Sequence, residues 1–338
     1  MASLPDYGTD SLVSRDNIED LLRQTQDADS DPRAGLFGPR SITCKINREA
    51  ALFLGAGRAS LLQLAHPWVA TALAHHSTTL SDPIGRFHNT FRVIYTMLFG
   101  TRDQALAASR HLYQRHTGIQ GQMPERVAGY RAGSHYEANE VDALRWVYAT
   151  LVESAVMAYD FALPPLTVDE RESYYRESKQ MAALFGIPEN ALPRDWSAFA
   201  EYNREMWESS ALGVNDMSRS MAHRLLQGAG SRIKPPLWYR ALTTDWMPIR
   251  FRGEFGLDFG ATERHALWRA EWWYPRVYST LPKQVRWVGP YHEAAARLRN
   301  RPTGWMTQQS NRFWMGRSRL MFSEASDRID SASEKGPS

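Results

Sequence analysis

A single cysteine, Cys44, stands among 338 residues, and that scarcity excludes an internal disulfide, a zinc site built on cysteines and a covalent Cys-x-x-Cys-His haem. It also fits a reducing compartment. Long apolar runs are missing too. The longest, Leu61 to Ala74, is broken by Gln63, His66 and Pro67, and falls short of the roughly 20 residues that span a bilayer. Met1 to Asp31 is polar with acidic patches and has no apolar core of a signal peptide. No leader, no membrane anchor and no integral membrane segment are therefore expected, and the expected location is cytoplasmic. The formal net charge of +3 is too small and too evenly spread to point to nucleic acid. Alternating strand patterns, low-complexity linkers and internal repeats are all but absent.

Aromatic residues are plentiful instead. The 12 Trp, 14 Tyr and 13 Phe favour thick helical cores and pockets for planar ligands. The dominant period is helical. Asp142 to Ala162 places Leu144, Val147, Tyr148, Leu151, Val152, Ala155 and Tyr159 on one broad stripe, the pattern of a core helix. Further helices are expected over 45–80, 84–99, 102–116, 167–185, 195–211, 215–227, 261–280 and 290–299. Thr167 with Glu170 forms a capping box at the start of one, and Gly186 with Pro188 ends it. Pro83 suits the first turn of the helix that follows Asp82. Gly55, Gly57 and Pro67 each invite a bend in the segment 45–80. The expected architecture is all-α, a single domain of about ten helices over 15–324, with frayed tails at 1–14 and 325–338.

Several motifs are set aside on spacing. Gly55-Ala56-Gly57-Arg58-Ala59-Ser60 imitates a dinucleotide-binding turn, yet it has no third glycine, no βαβ unit and no acidic residue about 20 positions on. Small residues there are expected to let two helices, or a helix and a flat ligand, approach closely. No histidine has Glu or Asp three positions before it, so a di-iron bundle is excluded. Cys44 reads as a structural thiol. His66, His75 and His76 would converge on a metal only if their helix broke between them. No serine-nucleophile motif is present.

The polar cluster Arg86-Phe87-His88-Asn89-Thr90 and the segment His116-Thr117-Gly118-Ile119-Gln120-Gly121 carry more. Arg86 and Thr90 lie one helical turn apart with Asn89 beside them, and His116 ends a second amphipathic stretch. Such a pair of helices can supply the wall and the ligand of a haem pocket. Equally, Arg and Thr at this spacing can form a solvated face, and a His at a helix C-terminus can be a cap favoured by the dipole. His88 is two positions from both Arg86 and Thr90, on the other side of the helix.

Gly57-Arg58-Ala59-Ser60-Leu61-Leu62-Gln63-Leu64-Ala65-His66-Pro67-Trp68-Val69-Ala70, then His76-Ser77, Asp82-Pro83-x-x-Arg86-x-x-x-Thr90, Phe99-Gly100 and His116-x-x-x-x-Gly121, resembles the superfamily of mycophenolic-acid oxygenases (MpaB-like) and rubber oxygenases (latex-clearing proteins). Trp146 to Leu151 and Leu281-Pro282 extend the likeness, which covers roughly residues 45–300. The resemblance implies an all-helical, globin-reminiscent fold around one non-covalent haem b, with O2 as co-substrate. It implies His116 as the axial iron ligand, with Arg86 and Thr90 beside the haem and Asn89 with them at the catalytic centre. His66 and His76 are second choices for cofactor binding.

Two departures accompany the likeness. Rubber-cleaving members have a Lys just before the Thr and a Glu upstream, where this chain has Asn89 and, by spacing, Ala70. The expected function is a haem-dependent oxygenase or oxidase that hydroxylates, desaturates or cleaves an apolar or aromatic small molecule of natural-product type. A homodimer and a redox partner or chemical reductant are allowed for. A non-catalytic haem- or lipid-binding carrier and a peroxidase using H2O2 are the alternative readings.

Overall fold

A computed structural model of the chain describes residues 12–26, 31–77, 82–228 and 234–320. The expected C-terminal tail, most of the N-terminal one and the end of the expected 45–80 helix lie outside them. The fold is all-α: sixteen α-helices and one two-stranded hairpin among the described residues. The first is α1 (Arg15–Gln26). Just before it, Leu12 forms a backbone bridge to Glu140 and the Val13 N–H donates to the Asn139 carbonyl at 2.9 Å. The chain is thus already seated at residues expected to fray.

The segment expected as one bent helix is four pieces: α2 (Ile42–Asn47), a 3-10 segment over Ala50–Gly55, α3 (Ala56–Leu64) and α4 (Pro67–His76). Pro67 occupies the first turn of α4 and His66 before it is extended, φ −86° and ψ 115°, as a residue preceding proline prefers. Gly57, by contrast, sits inside α3 without breaking it. A Cβ on Gly55 would lie 2.5 Å from the Ser154 carbonyl oxygen, and one on Gly57 2.6 Å from Thr243 Oγ1. The two small residues therefore serve close helix approach, as expected, and no nucleotide.

Next come α5 (Pro83–Phe99) and α6 (Arg102–Thr117), then β1 (Gln120–Gln122) and β2 (His135–Glu137), antiparallel with Gly121 opposite Tyr136. The hairpin carries no apolar alternation. Gly121 is required there, since a Cβ would meet the Tyr136 hydroxyl at 2.7 Å.

The centre of the molecule is α7 (Val141–Ala162), which packs on α2, α3 and, further along the chain, α8 (Val168–Leu184). It is buried on nearly every side, Arg145, Thr150 and Ser154 included, and not along one stripe only. Thr167 and Glu170 make the expected capping box of α8. Gly186, at φ +85°, closes that helix under Val13.

The chain continues through α9 (Trp196–Glu208), α10 (Asp216–Leu226), α11 (Leu237–Trp246), α12 (Ile249–Phe255), α13 (Ala261–Thr280), α14 (Lys283–Arg286), α15 (Gly289–Leu298) and α16 (Trp305–Met315). Helices α1, α11, α12, α14 and α16 have no counterpart in the periodicity reading. Helix α1 has only Ile18, Leu21 and Leu22 as apolar residues, too few to set a period, and the others are short or rich in Trp and Arg. Cys44 is buried in the main core, and burial pushes its thiol up to about 11, as a structural thiol requires.

Candidate functional site

Between the N-terminal end of α7, the hairpin and helices α4, α5 and α6 lies a cavity of about 170 Å³. Each wall has a local cause. The side chain of Asp82 accepts from the Gly85 N–H at 2.9 Å and Pro83 occupies the first turn, so α5 starts at a set place and puts Arg86 one turn in. Thr101 and Gln104 cap α6 reciprocally, and its last turn carries Arg115 and His116 into the cavity wall. The Glu140 carboxylate accepts from the Ala143 N–H at 2.7 Å, which fixes the start of α7. Ala143, Leu144 and Val147 then line the floor with Trp68 and Leu73 of α4.

The polar groups of this cavity are short of partners. The Arg86 guanidinium, half-buried, makes no ion pair or hydrogen bond among the described residues, and its pKa is lowered by burial and by Arg115 nearby. Arg115 has no carboxylate partner among them either. Glu137, the cavity's carboxylate, faces His135 Nδ1 at 3.5 Å. Trp68 Nε1 is buried without an acceptor. Buried polar atoms are nearly always paired, so the orphaned indole N–H of Trp68 and the unpaired, half-buried guanidinium of Arg86 mark this cavity as a candidate binding site, with Arg115 exposed at its edge.

His116 is half-buried, and its ring belongs to the cavity wall. Burial first, then the charges of Arg86 and Arg115, depress its pKa to about 4, against a smaller opposing effect of the Asn139 side chain, which can accept from the ring. The imidazole is therefore neutral at ordinary pH, the form in which a ring nitrogen offers its lone pair.

The other expected site residues are placed differently. His76 lines the cavity, with Nε2 3.2 Å from the Tyr136 hydroxyl, which also lies 3.3 Å from His75 Nδ1. His66 does not line it. Its buried ring lies behind Trp68, with Nε2 3.3 Å from the Tyr130 hydroxyl, and its Nδ1 has no partner. Since α4 begins at Pro67 and ends at His76, about 1.5 Å of rise per residue separates His66 from His75 and His76 by more than two turns. The three do not converge. Among the described residues no group of three or more His, Cys, Asp and Glu forms a metal-binding cluster.

Thr90 donates its hydroxyl to the Arg86 carbonyl at 3.0 Å, and Asn89 accepts from Arg92 at 3.1 Å; neither lines the cavity. A threonine within a helix commonly spends its hydroxyl on the preceding turn. His88 turns away, with Nε2 3.1 Å from the Phe313 carbonyl of α16. Ala70 is packed in the main core. Trp68, Tyr136, Glu137 and Arg115 escaped the sequence reading. Arg115 alone had a signal there, as the charged neighbour of His116.

The donor set is of the kind haem b takes, a neutral imidazole for the iron and two arginines for propionates, in a mixed lining that also holds Gln63, His76, Ser77, Tyr136 and Glu137. The cavity volume is below the about 300 Å³ usual for small-molecule pockets; its edge at Ser77 adjoins residues outside the described ones.

Comparison with known proteins gives one family: residues 45–280 match the model described as ER-bound oxygenase mpaB/B'/Rubber oxygenase, catalytic domain. No curated protein and no solved structure matches the chain. Among the described residues no helix is long and apolar enough to cross a membrane.

Proposed function

Since the chain belongs to the mpaB/rubber oxygenase family, we propose that it is a haem b-dependent oxygenase that uses O2 to oxidise an apolar or aromatic small molecule, a natural product by type. The observation that carries this reading is the neutral imidazole of His116 in one cavity with the unpartnered guanidinium of Arg86.

When bound, haem b would supply an iron able to bind and activate O2. His116 would hold the iron through its ring nitrogen in this reading. Its depressed pKa removes proton competition for the lone pair down to about pH 4. Asn139, whose side chain lies near the ring, would help orient it by accepting from the ring N–H, the usual task of a residue behind a metal-bound imidazole. Arg86 and Arg115 hold carboxylates, and the planar fork of Arg86 suits a bidentate grip. Thr90 acts through the backbone, tying the turn that carries Arg86. Leu144, Val147, Leu73 and Trp68 exclude water and select an apolar substrate.

The test is an absorbance spectrum of the protein produced with haem precursor, combined with a pyridine haemochrome assay. A near-stoichiometric Soret band that shifts with dithionite and CO is expected. A colourless, folded protein that haem titration leaves unchanged overturns the proposal. In His116→Ala the haem is expected to be lost while the helical circular dichroism persists; full haem content there would move the axial role to His76.

A further inference from the structure

The outward side of α13 has no task in the cavity chemistry. Trp268 is 63% exposed and Trp272 61% exposed, one helical turn apart, on a stripe that also holds His265 and Arg276. The opposite side of the same helix is fully engaged: Leu267, Ala270 and Tyr278 are buried, and α13 packs on α11 and α7. The two indoles are thus held outward by a rigid helix. The imidazole of His265 lies 5.8 Å from Trp268, and the Arg276 guanidinium lies 4.9 Å from the ring centre of Trp272.

The exposed charge over 261–286 is mostly positive. Arg264, Arg269, Arg276 and Lys283 are exposed, whereas Glu271 is the exposed carboxylate over 261–286 and Glu263 caps its own helix at the Gly260 N–H, 2.9 Å away. We propose that this face of α13 docks the protein on the surface of an anionic lipid bilayer.

Indoles prefer the boundary where an apolar body and a polar N–H are both satisfied. Arginine and lysine stems lie along such a surface while their heads reach the phosphates. Complementary charge selects this occupant over a second copy of the chain. A two-fold dimer through this face would bring the same cations of both copies together. The face sits near the C-terminal end of α7, far from the cavity at its N-terminal end, so docking leaves the cavity open. This proposal does not depend on the haem reading.

The experiment is co-sedimentation of the full chain with vesicles of phosphatidylcholine alone or mixed with phosphatidylglycerol. Pelleting with the anionic vesicles, weakened by salt and much reduced with phosphatidylcholine alone, is expected. Trp268→Ser with Trp272→Ser should weaken binding on the order of tenfold with thermal unfolding unchanged, since both side chains are exposed. Arg264→Gln, Arg269→Gln and Arg276→Gln together should remove the salt dependence. A chain that stays in the supernatant with anionic vesicles, or a tryptophan double variant that pellets like the original, overturns the proposal. So does a concentration-dependent dimer in ultracentrifugation that the double variant abolishes, since it would give the face to a second copy.

Discussion

Arg58 and Arg86 sit on opposite sides of the same argument. Arg58, 1% exposed beside the middle of α7, is fully partnered: Nε donates to the Trp246 carbonyl at 2.9 Å, Nη1 to Ser154 Oγ at 3.0 Å and Nη2 to Glu153 at 2.6 Å. Arg86, at the N-terminal end of α7, has only a second arginine and a neutral imidazole for company. The packing around them differs in the same sense. Towards the C-terminal end of α7, Ala158 and Ala162 are fully covered and Phe161 lies 5.7 Å from Trp246 and 5.6 Å from Tyr274. Tyr278 there donates to Glu49 and accepts from the Ala51 N–H, each at 3.0 Å. Arg58 finds its partners inside the packed end, whereas Arg86 lines a cavity that offers it none; orphaned buried atoms such as Thr243 Oγ1 and Trp207 Nε1 also occur away from the cavity.

The contrast is sharpest under substitution. Arg58→Gln should cost about 3–5 kcal/mol in urea unfolding, because it strands the Glu153 carboxylate beside the core. A cost below about 1 kcal/mol would break the comparison on its filled side.

Acid is the next lever. Burial depresses His66 from 6.5 to about 4, so the unfolded chain binds its proton first. The stability tied to the neutral ring is present above pH 6.5 and is lost as pH falls towards 4. The loss amounts to about 3 kcal/mol by pH 4. Glu140, raised by burial to about 7, works in the opposite direction over the same range. The quantity to measure is therefore the stability of wild type minus that of His66→Gln at each pH, in which Glu140 cancels. A flat difference would show that the ring is not held neutral by its surroundings.

Truncations compare the two ends of α7 directly. Leu242→Ala, at a fully buried site in the cluster of Ala158, should cost about 3 kcal/mol, and Leu144→Ala, already at a cavity edge, about 2 kcal/mol or less. Equal costs would mean that the cavity end is packed as tightly as the other. The smallest effect is expected at Arg86. Arg86→Gln should change stability by less than about 0.5 kcal/mol, since no partner is lost, while turnover of the haem-loaded protein falls. A large destabilisation would make Arg86 a structural residue.

Much of this was written in local sequence. The capping pairs Thr101/Gln104 and Thr167/Glu170, the punctuation at Pro67, Pro83 and Gly186, and the period over 142–162 place helix ends and buried positions through interactions within a few residues. The close approach at Gly55 and Gly57 follows from their size. Tertiary structure alone decided which histidines meet the cavity: His66 turns to Tyr130, whereas His76, which shares Tyr136 with His75, and His116, near Arg86 and Arg115, both line it. It also decided that Thr90 serves its own helix and that Trp68 and Tyr136 form walls. The reason is geometric. A helical period fixes the angle of a side chain about its own axis, whereas the neighbour it meets depends on how separate helices cross, and that is settled by packing between residues far apart in the chain.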